Sequence, residues 1–417
     1  MLTTVLRAAL AGTLKPFVFE SSGHSGHLDL DVPNLGAYVH IPFCVSLCPF
    51  CPYYKVRLGD GSLMSPYVDA VIQEIDASLD HGETHLSSVY FGGGSPALAG
   101  DGLGRVIAAI KARATVDGGI GVELHPRDVG SEAVSALIDS GVTMASLGVQ
   151  SFSERSLKTL GRPADASDSE RALRLLAGSG FSAVDVDLIF GIPGQSDDDL
   201  RRDFARAVQL GATQVSTYPF IDFSYAHNKV EPAPESRKKA LMSVLLRAAE
   251  DNGFERGSVW TFRRRGTPAY SSITRDNFIG FGASATTLLR DQFKLNTFSV
   301  DGYIDAISKG HPATAYTLRF SPRSREAYWL FWSCYNMDIR PDRFRQLFGE
   351  ELERDFGLWL NLGRRLGIVA DAVDGYTLTS RGAYLYHVVE QIYTHQYIDR
   401  TWRASMAEVR PPRIVLW

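Results

Sequence analysis

Cysteine is scarce in this chain of 417 residues, which has only four. A secreted scaffold stapled by disulfides needs more, so the low count points to a reducing compartment and an expected cytoplasmic location. Charge of either sign is not in excess. Lys and Arg number 43 against 47 Asp and Glu, a net charge of −4. Nucleic-acid binders normally show a basic domain, so no nucleic-acid partner is expected. Nor does any apolar run approach the ~20 residues of a membrane-spanning helix. Residues 1–17 carry Leu2, Val5, Leu6, Leu10 and Leu14 near helical spacing, but Arg7 and Lys15 interrupt them. That segment reads as an amphipathic helix or arm, not a signal peptide. Low-complexity tracts and a fixed solenoid period are lacking too, which argues against linkers and repeat arrays. What remains is an ordinary globular composition, 45% hydrophobic and 22% charged, long enough for two to three domains.

Three of the four cysteines fall in one stretch, Cys44-Val45-Ser46-Leu47-Cys48-Pro49-Phe50-Cys51. Cys44, Cys48 and Cys51, spaced C-x3-C-x2-C, can hold three irons of a [4Fe–4S] cluster and leave the fourth iron open for another ligand. An open position is what separates a catalytic metal site from a structural one. Structural zinc wants four ligands, and no further Cys or His follows within a few residues. Cys334 lies far away in a helical stretch and reads as a core thiol.

From about 36 to 220, short apolar runs alternate with amphipathic ones. The runs are 36–41, 86–91, 119–124, 142–149, 183–190 and 214–218. Between them, Val68, Val71, Ile72, Ile75 and Leu79 share one helical face, with Ser65 as expected N-cap and Pro66 at the first helical position. Ser196 with Asp199 predicts a second helix start, followed by a face of Leu200, Phe204, Ala207 and Val208. Such alternation makes a parallel sheet, and six units predict an α/β fold with a partial (β/α)6 barrel. Active-site groups of a parallel barrel sit at the C-terminal strand ends. Here the first run leads into the cysteines and the second into Gly92-Gly93-Gly94-Ser95-Pro96. The third ends at Glu123, the fourth at Gln150, the fifth carries Asp187 and the sixth ends at Tyr218. Past 220 the expected elements are a helix over 235–252, strands over 254–262 and a segment over 277–289 containing Gly280-Phe281-Gly282-Ala283-Ser284-Ala285. Aromatic-rich helices over 325–337 and 350–366 follow, then a small hairpin at Asp374-Gly375. The expected divisions are an N-terminal arm (1–35), the barrel with accessory strands (36–310) and a smaller, mainly helical C-terminal domain with its tail (311–417). The apolar tail is expected to fold back over the protein.

The string Tyr38-Val39-His40-Ile41-Pro42-Phe43-Cys44 through Cys51 resembles the radical S-adenosylmethionine (SAM) enzymes, in the branch of oxygen-independent coproporphyrinogen III oxidase. The resemblance implies the same partial barrel. It also implies that SAM chelates the open iron and that the reduced cluster cleaves it to a 5′-deoxyadenosyl radical. By the family's pattern, Cys44, Cys48 and Cys51 are the cluster ligands. Gly92, Gly93, Gly94 and Ser95 lie along the methionyl end of SAM, and Glu123 is associated with cluster-bound SAM. Arg162, in Leu160-Gly161-Arg162, matches an arginine near the SAM carboxylate. Gln150 matches an S-x-G-x-Q-S segment and Asp187 a D-L-I-x-G-x-P-G-Q segment, which in some members also contacts a second SAM. Gly282 and Ala283 fall in a G-x-G-x-x-A stretch of the same branch. Tyr38 and His40 match the branch pattern beside the cluster, the expected place for catalytic groups. Ala164 stands where relatives commonly carry His.

Three members of the branch compete. Heme chaperones carry an H-N-x-x-Y-W segment that residues 265–277 lack, and His227-Asn228 is followed by Lys229-Val230. The oxidase usually continues F-C-G-C, where this chain has Cys51-Pro52-Tyr53. The absence of both hallmarks favours a class C methylase-like relative. Such enzymes are thought to use two SAM molecules for methyl or methylene transfer to an sp2 carbon, giving methylation or cyclopropanation. The resemblance implies an electron donor such as flavodoxin or ferredoxin. The aromatic content suits a planar, conjugated substrate. A closed site must shield the radical from solvent, and the C-terminal domain and tail are the expected cover.

Overall fold

The computed structural model describes residues 2–21, 28–79, 83–228, 230–268, 276–409 and 411–417. Its strands follow the apolar runs. We number those of the main sheet in chain order: β1 (Phe17–Ser21), β2 (Leu35–Ile41), β3 (Ser88–Gly93), β4 (Ile120–Leu124), β5 (Met144–Gln150), β6 (Ala183–Phe190) and β7 (Gln214–Pro219). β8 (Phe254–Arg256), β9 (Thr261–Arg264), β10 (Asn277–Phe281), β11 (Thr286–Leu289), β12 (Gln292–Asn296), β13 (Thr314–Arg319) and β14 (Ile414–Leu416) complete it. The order across the sheet is β8-β9-β7-β6-β5-β4-β3-β2-β10-β11-β12-β13-β1-β14.

β2 to β7 pair in parallel, each beside the next in sequence, as the predicted six-unit partial barrel requires. Their continuous apolar character follows from burial on both faces, by barrel interior and by covering helices. Helix Asp197–Gln209 starts with the predicted capping box, Ser196 and Asp199 satisfying each other's backbone N–H groups. Helix Met64–Ser78 buries Tyr67, Val68, Val71 and Ile75, but its start differs from expectation. Leu63 is the N-cap and Ser65 and Pro66 lie inside the first turn. A turn bond from the Met64 N–H to the Gly61 carbonyl begins the coil earlier. Pro66 is tolerated because first-turn N–H groups have no intrahelical partner anyway.

Hydrogen-bonded strands cross both expected divisions. β1, from the N-terminal segment, pairs with β13 and β14, which follow residue 310. Helices Pro322–Tyr335, Leu352–Arg365 and Ser380–Tyr393 make the C-terminal region mainly helical, with the predicted hairpin at Val369–Ala372 and Gly375–Leu378. Cys334 is half-buried between two apolar clusters, and burial pushes its thiol up to about 12.

The tail does fold back, but onto the edge of the sheet. β14 pairs antiparallel with β1, Leu416 is fully buried, and the Tyr316 hydroxyl donates to the Pro412 carbonyl at 2.8 Å. Deleting residues 411–417 should therefore act on stability. Loss of one buried leucine and an edge ladder is expected to cost about 2–3 kcal/mol. Chemical denaturation of the truncated chain checks this; an unchanged midpoint would show that β14 contributes nothing.

Candidate active site

The strand ends converge on one cavity of about 1520 Å³. Cys44, Cys48 and Cys51 line it, on the loop that follows β2. That loop is fixed at several points. Phe43–Cys44 pairs with Val56–Arg57, the Lys55 ammonium donates to the Cys51 carbonyl at 2.8 Å, and the His227 N–H donates to the Pro49 carbonyl at 3.1 Å. Burial, with the neighbouring Cys51 and Cys48, pushes the Cys44 thiol up to about 12. Burial also raises Cys51, against the pull of Lys55. Buried thiols of this kind become ligands only when a metal displaces their protons.

Arg162 joins the cysteine loop to the barrel. Its Nη1 donates to Cys48 Sγ at 3.2 Å and its Nη2 to the Gly148 carbonyl. Its Nε is buried with no partner, which leaves a cationic donor beside the thiols for an anionic ligand group. Three free thiols on one wall and this orphaned donor fit a thiolate-held cluster with a carboxylate-bearing ligand next to it. Among the described residues no three such donors close on a single ion; in a cluster each thiolate binds its own iron.

Gly93, Gly94 and Ser95 line the same cavity after β3. Two backbone bonds staple them to the cysteine loop's root: the Gly94 N–H donates to the Ile41 carbonyl and the Ser95 N–H to the Phe43 carbonyl, both at 2.8 Å. Gly93 has a φ of +117°, a region that favours glycine. A Cβ on Gly92 would lie 2.9 Å from the Tyr38 hydroxyl and 3.0 Å from Glu123 Oε2. Glu123 accepts from the Tyr90 hydroxyl at 3.0 Å and from the Gly93 N–H at 3.2 Å, and burial raises its carboxyl. Gln150 sits at the end of β5 with φ +72°, a strained value for a residue with a side chain, next to a register shift against β6 at Asp187/Leu188. Bulges and left-handed residues of this kind re-aim side chains at functional sites. Asp187 accepts from the Ser146 hydroxyl at 3.1 Å, and burial, Asp185 and Glu123 hold its carboxyl well above the usual range.

Ten of the expected site residues thus line one cavity: the three cysteines, Gly93, Gly94, Ser95, Glu123, Gln150, Arg162 and Asp187. Five expected residues are not in the lining: Gly92, which lies behind it against Tyr38 and Glu123, and Tyr38, His40, Gly282 and Ala283. Tyr38 and His40 form an internal pair, with 2.9 Å between the hydroxyl and Nδ1, and His40 Nε2 is 2.9 Å from the Tyr54 carbonyl. His40 is 3% exposed, and burial lowers it to about 4, so it is a neutral ring engaged at both nitrogens and behind the cavity wall. Gly282 and Ala283 are also held away from the cavity. The Gly282 N–H donates to Glu74 Oε2 and the Ala283 N–H to the Tyr67 hydroxyl, both at 2.8 Å. Residues 269–275, part of the segment compared with the chaperone hallmark, lie outside the described residues, as does Lys229.

Sequence reading missed Asp185, whose signal was its position two residues before Asp187 on the same strand face. It accepts from the Ser216 hydroxyl at 2.7 Å and burial raises it to about 6. It also missed Trp260, Tyr335 and Trp402, which line the cavity, Trp402 with its ring 6.1 Å from that of Tyr53 beside the cysteine loop. Trp402 comes from helix Asp399–Ala407, and none of the described tail residues 411–417 lines the cavity. Among the described residues no helix is long and apolar enough to cross a membrane.

Comparison with known proteins agrees with this geometry. Residues 38–207 match the family model for the radical SAM superfamily. The chain is similar to the heme chaperone HemW of Bacillus subtilis (strain 168), 25% identical over 365 residues, covering 84% of this chain and 96% of that protein. It is also similar to the oxygen-independent coproporphyrinogen III oxidase of Cereibacter sphaeroides, 25% identical over 309 residues and 68% of each chain. Neither of these is named a methylase. The structure of coproporphyrinogen III oxidase (HemN) from Escherichia coli shares the fold, with a TM-score of 0.73 over 88% of this chain and 91% of that one, at 21% identity. Residues 38–207 are therefore a radical SAM domain, and the chain around it is similar to HemW and to oxygen-independent coproporphyrinogen III oxidase.

Proposed function

We propose that this protein is a two-SAM radical enzyme of the class C type, transferring a methyl or methylene group to an sp2 carbon of a planar, conjugated substrate. The observation that carries the reading is the large cavity whose lining includes the three thiols and the side chains of Trp260, Tyr335 and Trp402. Ordinary ligand pockets hold roughly 300–1,000 Å³, and this one, at about 1520 Å³, is larger, its lining running from the cysteine loop down to the N-terminal strand ends at Gly119, Met144 and Gln214. When bound, the cluster and SAM supply one-electron cleavage of the sulfonium, with the electron coming from a small donor protein such as flavodoxin or ferredoxin. The chain's own residues orient and enclose. Cys44, Cys48 and Cys51 fix the cluster, Arg162 offers its free Nε to a carboxylate, and Gly93 and Gly94 let a ligand lie close to the backbone. Glu123 and Asp187, with raised carboxyls, offer proton-bearing or accepting groups to amines and hydroxyls. The near full-length likeness to HemW supports a second reading, a heme-binding protein.

The test is anaerobic reconstitution and reduction with SAM carrying a CD3 group and candidate tetrapyrrole and aromatic substrates. Mass spectrometry should find deuterium in 5′-deoxyadenosine and a carbon added to the substrate. Unlabelled 5′-deoxyadenosine with loss of carbon dioxide from the substrate would replace this reading with the oxidase. Tight heme binding without SAM cleavage would replace it with the chaperone.

A further inference from the structure

Two cations flank the three thiols. Arg162 reaches Cys48 Sγ from the barrel side. Lys55 comes from the other side, four residues after Cys51. Its ammonium donates to the Cys51 carbonyl at 2.8 Å and to the Tyr53 carbonyl at 3.4 Å. Strand pairing sets it between two of the expected ligands. Phe43 pairs with Val56 and Cys44 with Arg57, so Lys55 leads into the segment beside Cys44 while its ammonium is tied to Cys51. Lys55 is half-buried and lines the cavity.

The Lys55 charge has no counter-charge. Both of its bonds go to neutral carbonyls, and among the described residues no carboxylate forms an ion pair with it. Burial raises the Cys51 and Cys44 thiols, and the Lys55 charge pulls both the other way. Asp128 opposes it at Cys44 but is itself bound by the Ser95 hydroxyl. Arg57 is exposed and donates to the Val45 carbonyl at 3.3 Å, where salt screens it. A [4Fe–4S] cluster on three thiolates takes up one electron on reduction, and with it one negative charge. No bond breaks and no proton moves in that step. A fixed positive charge at its rim favours the reduced form, and net charge is among the factors that set a cluster's potential. A carboxylate on Arg162 neutralises that cation and leaves Lys55 as the one that acts.

We propose that Lys55 sets the reduction potential of the cluster, its fixed ammonium charge between Cys44 and Cys51 holding the reduced state within reach of a small donor protein. This rests on the reading of Cys44, Cys48 and Cys51 as cluster ligands, and adds to it a residue that acts on the cluster without binding iron.

Redox titration of the full-length, cluster-reconstituted protein with SAM tests it, at one pH, with the reduced cluster read by electron paramagnetic resonance. Lys55→Met loses the charge and keeps the length. Lys55→Gln loses the charge and keeps a donor for the Cys51 carbonyl. Each should lower the ratio of reduced to oxidised cluster at a given potential by about tenfold, a shift of about 59 mV to more negative values for a one-electron couple. Lys55→Arg should stay near wild type. A lysine that only fastens the loop would leave Lys55→Gln at the wild-type potential, and that result would overturn the proposal. So would an equal shift in Lys55→Arg. Neutral variants that take up no iron while Lys55→Arg does would assign Lys55 to cluster assembly and overturn it too. A wild-type protein that takes up no iron would instead sink the cluster reading itself, and Lys55 with it.

Discussion

Replacing Cys48 with alanine is expected to remove nearly all bound iron after reconstitution and to slow reductive SAM cleavage by about a thousandfold or more, ~4 kcal/mol of barrier at ~1.4 kcal/mol per decade. Of the three clustered thiols, Cys48 is the buried one, and it alone accepts from Arg162, at 3.2 Å. Two thiolates cannot hold a cluster that needs three protein corners, and the same substitution leaves the Arg162 Nη1 donor without its partner next to an Nε that already lacks one. Cys334→Ala is the control. That thiol packs between apolar clusters away from the cavity. Its loss should cost about 1 kcal/mol of stability, the usual range for removing a small core group, with iron content and SAM cleavage unchanged. Iron-to-protein ratio and 5′-deoxyadenosine yield on both variants decide the matter. A Cys48→Ala protein that loads iron fully would refute the cluster assignment.

How much of this was legible in the chain depends on whether the information was local. The six barrel strands were, because a strand buried on both faces must be a continuous apolar run, and 183–190 coincides with β6. The Ser196–Asp199 cap was legible for the same reason: both partners lie within one turn. The cavity residues at the strand ends followed from the direction that parallel strands impose. What was not legible was nonlocal. The Gly282–Ala283 backbone has the spacing of a ligand loop, yet Glu74 and Tyr67, more than two hundred residues earlier, occupy its N–H groups. His40 has a suitable position beside the cysteines, yet Tyr54 and Tyr38 take both ring nitrogens. The tail's apolar character was plain, but its partner, β1, lies at the opposite end of the chain. Trp402 and Tyr335 sit on helices whose composition does not separate a cavity wall from ordinary core.

Gly94→Ala should be severely damaging, because its added methyl group falls on the root of the cysteine loop. A Cβ there would lie 2.4 Å from the Phe43 carbonyl oxygen, 2.7 Å from its carbon and 2.8 Å from the Pro42 carbonyl carbon. All three are backbone atoms of the segment that leads into Cys44, so no rotamer change relieves the contact. The bonds Gly94 N–H to Ile41 and Ser95 N–H to Phe43 hold that segment in place, and the added methyl must break or stretch them. Overpacking of about 1–3 kcal/mol and two backbone bonds of ~1 kcal/mol each together predict a loss near 4 kcal/mol. The displacement falls on the root of the cysteine loop, so cluster loading should fail even where the chain still folds. Gly178→Ala is the matched comparison. Its φ is −85° and the nearest atom to its added Cβ is 3.4 Å away. That change should be neutral or stabilising by about 0.4–1 kcal/mol, through a less flexible unfolded chain. Denaturation midpoints and iron content measured side by side separate the two cases. Normal iron loading in a folded Gly94→Ala protein would mean that the glycine triplet and the cysteine loop are not rigidly coupled, and that the triplet serves the ligand alone.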